Sequence, residues 1–277
     1  MNSPDPVNRN SDARPGWVPD EIDVTRPSVA RVYDFYLGGS HNFEVDREFA
    51  AGVLDVLPEM AVVAQQNRKF LRRVVQYLCA QGIDQFLDLG SGIPTAGNVH
   101  EVAAAACPGA RVLYVDNDPV AVSHSRALLT DDDTTEVLAA DLTHPRSVLD
   151  DPLTRRHLDL SRPVALLLVS VLHFVGDERD PAGLVRAYAD ALAPGSHVVI
   201  THASDIGNAA ATDAQALYNR DRSPNAMRMR DTGEVEALFG DLTLLEPGVV
   251  RIPSWRPEPD SLPGRDDYPG LAGVARL

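Results

Sequence analysis

The chain has 277 residues, 44% of them hydrophobic, and a formal net charge of -15. This length can bury a full core and favours one domain with extensions over two domains. The negative charge disfavours a nucleic-acid partner, because such binding requires a basic face. Cys79 and Cys107 lack metal-binding or redox spacing, so we predict no metal site and a reduced, cytoplasmic protein. The N-terminus has no apolar stretch that could be a signal peptide, and the longest apolar run, Pro163–Val175, is too short to span a membrane.

The N-terminal part of the sequence is predicted to be a tail followed by helices. Residues 1–24 are rich in Asn, Pro, Asp and Arg, and we expect a flexible tail there. In residues 25–82, apolar positions recur at intervals of three and four, as in amphipathic helices. This pattern predicts helices over Val29–Tyr36, Val45–Leu54 and Glu59–Ala80, with Gly38 and Gly39 ending the first of them.

From residue 83 onward, short apolar runs alternate with helical patterns. Strands are predicted at Phe86–Leu89, Arg111–Val115, Thr135–Ala139, Pro163–Val169, Ser196–Thr201, Leu242–Leu245 and Leu271–Ala275. Helices are predicted at Val99–Ala106, Val120–Leu129, Ala182–Leu192, Thr212–Tyr218 and Thr232–Phe239. This alternation predicts an α/β fold with a doubly wound, mostly parallel, seven-stranded sheet. We expect one domain over residues 25–277, with a helical extension (25–82) and a Rossmann-like core (83–277).

The most informative stretch is the turn that follows the first predicted strand. Phe86, Leu87 and Leu89 form a short apolar strand that ends near Asp88, and Gly90 and Gly92 follow. Glycines permit both a tight turn and a close approach of the backbone to a ligand. A strand, a glycine turn and a helix in this order are typical of a site for a small charged ligand.

Acidic residues also end the first three predicted strands. They are Asp88, Asp116 and Asp141. Ligands of doubly wound sheets bind beyond the carboxyl ends of the strands, near the point where the strand order reverses. An acid about 20 residues after a glycine turn is placed to accept hydrogen bonds from a ribose, which fits Asp116. Any one of these aspartates could instead cap a helix, but three in register favour a binding site.

These motifs resemble those of the class I S-adenosylmethionine-dependent methyltransferases. Leu87–Gly92 is similar to their first motif, Val115–Asp116 to the second and Ala140–Leu142 to the third. From Thr25 to the C-terminus the chain more closely resembles an actinobacterial methyltransferase family whose substrates are largely unassigned. That resemblance lies in Arg26–Asp34, Leu37–Gly39, His41–Asn42, Asn67–Arg68, Leu245–Gly248 and Trp255–Pro257.

The resemblance implies that the cofactor is S-adenosyl-L-methionine. By this resemblance Asp88 would meet the cofactor's ammonium, Asp116 its ribose and Asp141 its adenine amino group. The cofactor-binding residues that it implies are Asp88, Gly90, Ser91, Gly92, Asp116, Asn117, Asp141, Leu142, Ser170, Tyr36 and Gly39.

The acceptor site is expected to come from parts of the chain outside the common sheet. The candidate substrate-binding residues are His41, Asn42 and Tyr218, and the candidate catalytic residues are His173 and Tyr33. Residues 26–42 are expected to order over the cofactor as a lid. Two structural alternatives remain open from the residues alone. Tyr33 could pack in a helical core, and His173 could be a buried histidine with satisfied hydrogen bonds.

The predicted function is methyl transfer to a small-molecule acceptor, without a nucleic-acid or membrane partner. One alternative is a non-catalytic regulator that binds S-adenosylmethionine, which would keep Asp88 and Asp116 but need no base for an acceptor. Another is a nicotinamide-dependent oxidoreductase, which would have a third glycine near Thr95 and no acid at Asp88. The sequence has Ile93, Pro94 and Thr95 after the glycine turn, which disfavours the oxidoreductase.

Overall fold

Within the described residues, the apolar runs that begin at Gln85 assemble into one mixed sheet of eight strands. The strands are β1 (Gln85–Leu89), β2 (Arg111–Asp116), β3 (Thr135–Ala139), β4 (Ala165–Val169), β5 (His197–Ala203), β6 (Thr243–Leu244), β7 (Val250–Arg251) and β8 (Gly270–Arg276). This computed structural model describes residues 23–94, 97–129, 132–220, 226–258 and 266–277. The predicted flexible tail, residues 1–24, lies outside the described residues except for its last two.

The sheet order is β3-β2-β1-β4-β5-β8-β6, and β7 pairs with β8 beside this path. The first five strands are parallel to one another, whereas β8 runs antiparallel to β5, β6 and β7. The mostly parallel, doubly wound sheet is therefore confirmed. Seven strands form the continuous path of the described sheet, as predicted, and the additional strand β7 has only two residues, too few for a periodic pattern.

The strands are buried on both faces, as parallel strands of α/β proteins are. Alternate residues of β1 enter two different hydrophobic clusters, with Leu87 and Leu89 on one face and Phe86 on the other. All five side chains of β1 are buried. The near-continuous apolar runs that predicted the strands follow from this two-sided burial.

Ten α-helices surround the sheet within the described part of the chain. They are α1 (Val29–Tyr36), α2 (Glu44–Val56), α3 (Met60–Ala80), α4 (Val99–Ala106), α5 (Pro119–Leu128), α6 (Pro145–Leu149), α7 (Pro152–His157), α8 (Pro181–Ala189), α9 (Ala209–Tyr218) and α10 (Thr232–Ala237). The sequence did not predict α6 and α7, since each begins at a proline and is too short for a periodic pattern. No described helix is long and apolar enough to cross a membrane.

The N-terminal helices form their own hydrophobic cluster outside the sheet. This third cluster joins α1, α2 and α9 through buried side chains that include Val32, Val53 and Ala214. Asp46, which is 0% exposed, ties α1 to α2. Its carboxylate accepts from the Ser28 amide at 2.9 Å and from Arg31 Nε at 2.7 Å. The predicted helical extension is therefore present and lies against the carboxyl end of the sheet.

Strand β1 lies between β2 and β4. Strands β2 and β3 are added on one side of β1, and β4 and β5 are added on its other side. This is the topological switch point of the sheet, where open α/β folds form their ligand crevice. The aspartates and the glycine turn predicted as a binding site therefore come to the same edge of the sheet.

Candidate active site

A cavity of about 770 Å³ lies at the carboxyl ends of the parallel strands and continues beneath the N-terminal helices. Its walls include the strand-end residues Asp88, Asp116 and Asp141. They also include Tyr33 of α1 and Tyr218 of α9. This volume falls in the range of about 300–1,000 Å³ that is usual for small-molecule sites. The cavity therefore brings together residues that are far apart in the sequence.

The glycine turn after β1 brings its backbone to the cavity wall. Gly90 has φ +71°, and its amide donates to the Val115 carbonyl oxygen at 2.8 Å. A Cβ atom at this glycine would lie 2.4 Å from Val171 Cγ2, so a larger residue does not fit. Gly92 has φ +67°, and a Cβ atom there would meet nothing within 4 Å. A ligand thus has room to approach the backbone at Gly92.

Asp116 ends β2, and its carboxylate is fixed by backbone amides on both sides. Oδ2 accepts from the Gly92 amide at 2.7 Å, and Oδ1 accepts from the Asp118 amide at 2.8 Å. Burial raises the pKa of Asp116 to about 6, although these amide hydrogen bonds oppose the rise. Each carboxylate oxygen keeps a second lone pair, so the group can still accept from a ligand.

Asp88 lies beside Asp116 in the same wall and is 6% exposed. The pKa of Asp88 is raised to about 7, because burial and, to a smaller extent, the negative charge of Asp116 raise it more than the positive charge of Arg68 lowers it. A cationic group in the cavity would favour the ionised form of both carboxylates. Arg68 of α3 also reaches this wall, and its Nη2 donates to Asn98 Oδ1 at 2.7 Å.

Asp141, after β3, lies at a more open part of the cavity. Its Oδ1 accepts from the amide and the hydroxyl of Thr143, each at 2.8 Å. Burial alone would raise the pKa of Asp141, but these hydrogen bonds lower it overall. Leu142 and Asn117 also line the cavity.

A chain of hydrogen bonds connects α1 to the ends of β4 and β5. Asn67 of α3 donates to the Tyr33 hydroxyl at 2.9 Å and accepts from the Thr201 hydroxyl at 2.8 Å. Thr201 in turn accepts from the Ser170 amide at 2.8 Å. Ser170 has φ +57°, an uncommon conformation for a residue other than glycine. Sequence reasoning missed the bridging roles of Asn67 and Thr201.

The candidate catalytic residues line the cavity, but their polar atoms already have partners. His173 is 6% exposed, and its Nδ1 accepts from the Ala203 amide at 3.3 Å. Burial and the neighbouring His202 and Arg230 lower the pKa of His173 well below its usual range. The ring is therefore neutral, and because Nδ1 accepts a hydrogen bond, its proton lies on Nε2. The Tyr33 hydroxyl donates to the Ala64 carbonyl oxygen at 3.3 Å.

The inner end of the cavity lies within the third hydrophobic cluster. We call this end the acceptor compartment, and we define it by residues that both line the cavity and belong to that cluster. The residues used below to describe it are Tyr36, Leu57, Met60, Phe174, Tyr218 and Met227. Sequence reasoning missed Phe174 and Met227, because isolated apolar residues carry no signal for a pocket.

Three predicted site residues lie outside the cavity wall. Gly39, His41 and Asn42 instead form a turn around the buried carboxylate of Asp34. Asp34 Oδ2 accepts from the His41 amide and from Asn42 Nδ2, both at 2.8 Å. A Cβ atom on Gly39 would lie 2.0 Å from Asp34 Oδ1, so the glycine lets the chain pass this carboxylate. These contacts give the three residues a structural role that sequence position could not reveal.

Comparison with known proteins identifies the family. A family model described as S-adenosyl methyltransferase matches residues 15–277. The chain belongs to this S-adenosyl methyltransferase family. It is thus an S-adenosylmethionine-dependent methyltransferase, and the predicted activity and cofactor are confirmed. Neither the regulator nor the oxidoreductase finds support. No curated protein matches the methyltransferase.

Solved structures agree with this assignment. A candidate methyltransferase from Thermobifida fusca YX is 42% identical, with a TM-score of 0.87, over 95% of this chain and 99% of that one. A DUF574 family protein from Streptomyces avermitilis is 36% identical, with a TM-score of 0.86, over 92% and 98%. The N-methyltransferase NodS from Bradyrhizobium japonicum, in complex with S-adenosyl-L-homocysteine, is 16% identical with a TM-score of 0.50, over 77% and 87%. This last likeness concerns the fold alone.

Three features of the cavity fit S-adenosylmethionine. The Ser91 Oγ atom is buried at the glycine turn without a hydrogen-bond partner, and it lines the cavity. Because Gly92 has no Cβ atom and nothing lies within 4 Å of the place where one would be, the space beside it is open to a ligand. The carboxylates of Asp88 and Asp116 match the positive charges that this cofactor carries on sulfur and nitrogen. The residues present therefore suit the cofactor that the family uses.

Proposed function

We propose that the methyltransferase acts on a small-molecule acceptor, which it binds beside the cofactor in one cavity. The observation that carries this proposal is the continuity of the cavity. The same cavity runs from the strand-end carboxylates Asp88 and Asp116 to the acceptor compartment under α1, α2 and α9. A large polymer would not fit beneath these helices, whereas a small molecule would.

In this proposal the glycine turn and the strand ends hold the cofactor. Asp116 accepts from the ribose hydroxyls, because the amides of Gly92 and Asp118 already orient its carboxylate. Asp88 meets the ammonium, and Ser91 Oγ supplies a hydrogen-bonding group at the turn. Asp141 accepts from the adenine amino group, and Leu142 and Asn117 border the ring.

When bound, S-adenosylmethionine supplies an activated methyl group for an in-line displacement. The contribution of the chain is to place the acceptor against this group and to exclude water, which accounts for large accelerations in such reactions. The Nε2–H group of neutral His173 and the hydrogen-bonded Tyr33 hydroxyl orient the acceptor rather than remove a proton from it. Residues 26–42 form the lid in this proposal, since α1 covers the cavity.

The test is a labelling experiment with the purified protein. The purified protein and S-adenosylmethionine with a deuterated methyl group are incubated separately with the small-molecule, protein and RNA fractions of a cell extract. Each fraction is then analysed by mass spectrometry. We expect the label in the small-molecule fraction, and its loss with the Asp116→Ala variant. Label in the protein or RNA fraction alone, or in none of them, would refute the proposal.

A further inference from the structure

The acceptor compartment contains a buried phenol that lacks a good hydrogen bond. Tyr36 of α1 is 4% exposed, and its ring packs edge-on against Phe35 at 6.4 Å between centroids. Its hydroxyl oxygen is buried and has no partner with good hydrogen-bond geometry, although the Tyr218 hydroxyl lies beside it. Burying a hydroxyl without a partner is unfavourable, so such a group usually has a partner in the functional state.

The part of the compartment wall beside Tyr36 is aromatic and held in place. Tyr218 of α9 is 6% exposed, and its ring lies 4.9 Å from the ring of Phe49 in a T-shaped arrangement. The ring of Phe174 lies 5.9 Å away on another side. A ring fixed by such contacts presents a rigid apolar surface, which favours flat, ring-containing ligands.

Among the described residues that line it, the compartment offers no unpaired counter-charge for a charged ligand. Burial raises the pKa of Tyr218 to about 12, and it raises the pKa of Tyr36 as well, so both phenols stay neutral. Arg228 follows Met227 at the wall, but its guanidinium pairs with Asp177 at 3.2 Å and with Glu234 at 2.6 Å. A charge placed among these apolar side chains would lose its hydration without gaining a counter-charge.

We infer that the acceptor is an uncharged, ring-containing small molecule with one oxygen or nitrogen atom that hydrogen-bonds to the Tyr36 hydroxyl. In this arrangement its ring packs on Tyr218 and Phe174, and Tyr36 determines which acceptors are bound. The inference rests on the proposed function, since it describes the acceptor half of the same cavity. It goes beyond that function by naming the class of acceptor and the residue that selects it.

The test uses 2-naphthol as an uncharged probe and 2-naphthoate as a charged probe of similar shape. Binding is measured by calorimetry on the full chain saturated with S-adenosyl-L-homocysteine. We expect 2-naphthol to bind at least tenfold more tightly than 2-naphthoate. Equal or tighter binding of 2-naphthoate would overturn the inference, and this comparison needs no variant.

A pair of matched substitutions tests the role of Tyr36. Tyr36→Phe removes only the hydroxyl, and Tyr77→Phe makes the same change on α3 away from the cavity. We expect Tyr36→Phe to weaken 2-naphthol binding about five- to tenfold, the loss of one hydrogen bond, and Tyr77→Phe to leave it unchanged. Equal affinity in Tyr36→Phe and the wild type would overturn the assignment of Tyr36.

These binding measurements are independent of the labelling experiment. If a charged small molecule takes up the label, the proposed function stands and the inference about the acceptor class fails. If no small molecule takes up the label, the proposed function fails, whichever naphthalene probe the compartment prefers.

Discussion

The backbone amide of Gly92 donates to the Asp116 carboxylate at 2.7 Å, so the turn after β1 is fastened to the end of β2. The other carboxylate oxygen accepts from the amide of Asp118, which caps α5. Asp116 is therefore oriented before any ligand binds. The carboxylate of Asp116 therefore both holds the glycine turn in place and lines the cavity.

We expect Asp116→Ala to weaken S-adenosyl-L-homocysteine binding by about 2–3 kcal/mol, the value of charge-assisted hydrogen bonds. The variant should still fold but with lower stability, since the Gly92 and Asp118 amides lose their partner. Calorimetry measures the affinity and thermal unfolding the stability. Asp151→Ala is the matched control, because Asp151 caps α7 through the Leu153 amide and lies outside the cavity wall. Unchanged affinity in Asp116→Ala would reduce Asp116 to a structural role.

The raised pKa values of Asp88 and Asp116 predict opposite pH dependences for stability and for cofactor binding. Both pKa values exceed the ordinary value of 3.8, so the folded protein binds more protons than the unfolded chain between about pH 4 and 7. Their contribution to stability is therefore present at low pH and is lost as the pH rises through about 6 to 7.

Binding of S-adenosyl-L-homocysteine should follow the opposite course. The ammonium of this ligand favours ionised carboxylates, so we expect affinity to rise from pH 5.5 to 8 by up to about tenfold per pH unit below each pKa. Calorimetry across this range measures the effect. Asp88→Asn should reduce the slope near pH 7, since it removes one titrating group. An affinity that is constant with pH in the wild type would contradict this account of the two carboxylates.

His173 should behave as a residue that positions the acceptor rather than as a general base. In His173→Asn the side-chain oxygen can still accept from the Ala203 amide, whereas His173→Leu leaves this amide without a partner. We expect His173→Asn to keep turnover within about tenfold of the wild type. Turnover is measured with the acceptor that the labelling experiment identifies. A general base would contribute about 10²- to 10⁴-fold. A loss of that size in His173→Asn, with unchanged cofactor affinity, would identify a base.

The segment 26–42 should gain order when the cofactor site is filled. Its α1 end is attached to the core by the Ser28 hydroxyl, which donates to Asp118, and by the contact of Tyr33 with Asn67. We expect S-adenosyl-L-homocysteine to slow hydrogen exchange in residues 26–42, while β1 is protected with and without ligand. Ser28→Ala should diminish this gain, because it removes one attachment. Equal exchange in both states would mean that the segment is a fixed part of the fold.

Much of the fold follows from local patterns in the sequence. Helix α4 and strand β3 have the bounds that the sequence predicted, since a clear apolar pattern and flanking turn residues define both. The spacing of Asp231 and Glu234 is that of a capping box, and both of its hydrogen bonds are present at the start of α10. The short elements α6, α7 and β7 were missed because too few residues carry a period.

From the pattern of strands and helices alone, the predictable site residues are those at the ends of neighbouring strands. Asp88 and Asp116 meet because β1 and β2 are neighbours, which the alternating pattern implies. Contacts between distant segments were not predictable. Asn67 reaches Thr201 across 134 residues of sequence, and only the packing of α3 on the sheet brings the two together. The positions of His41 and Asn42 were not predictable either, because they depend on hydrogen bonds to the buried carboxylate of Asp34.

The most direct test of the account is a crystal structure of the methyltransferase with S-adenosyl-L-homocysteine. We expect the ribose hydroxyls to lie within hydrogen-bond distance of Asp116 and the adenine to lie beside Asp141 and Leu142. We also expect the sulfur atom to face the acceptor compartment at Tyr36 and Tyr218. A ligand bound away from Asp116, or with its sulfur facing away from that compartment, would contradict the account.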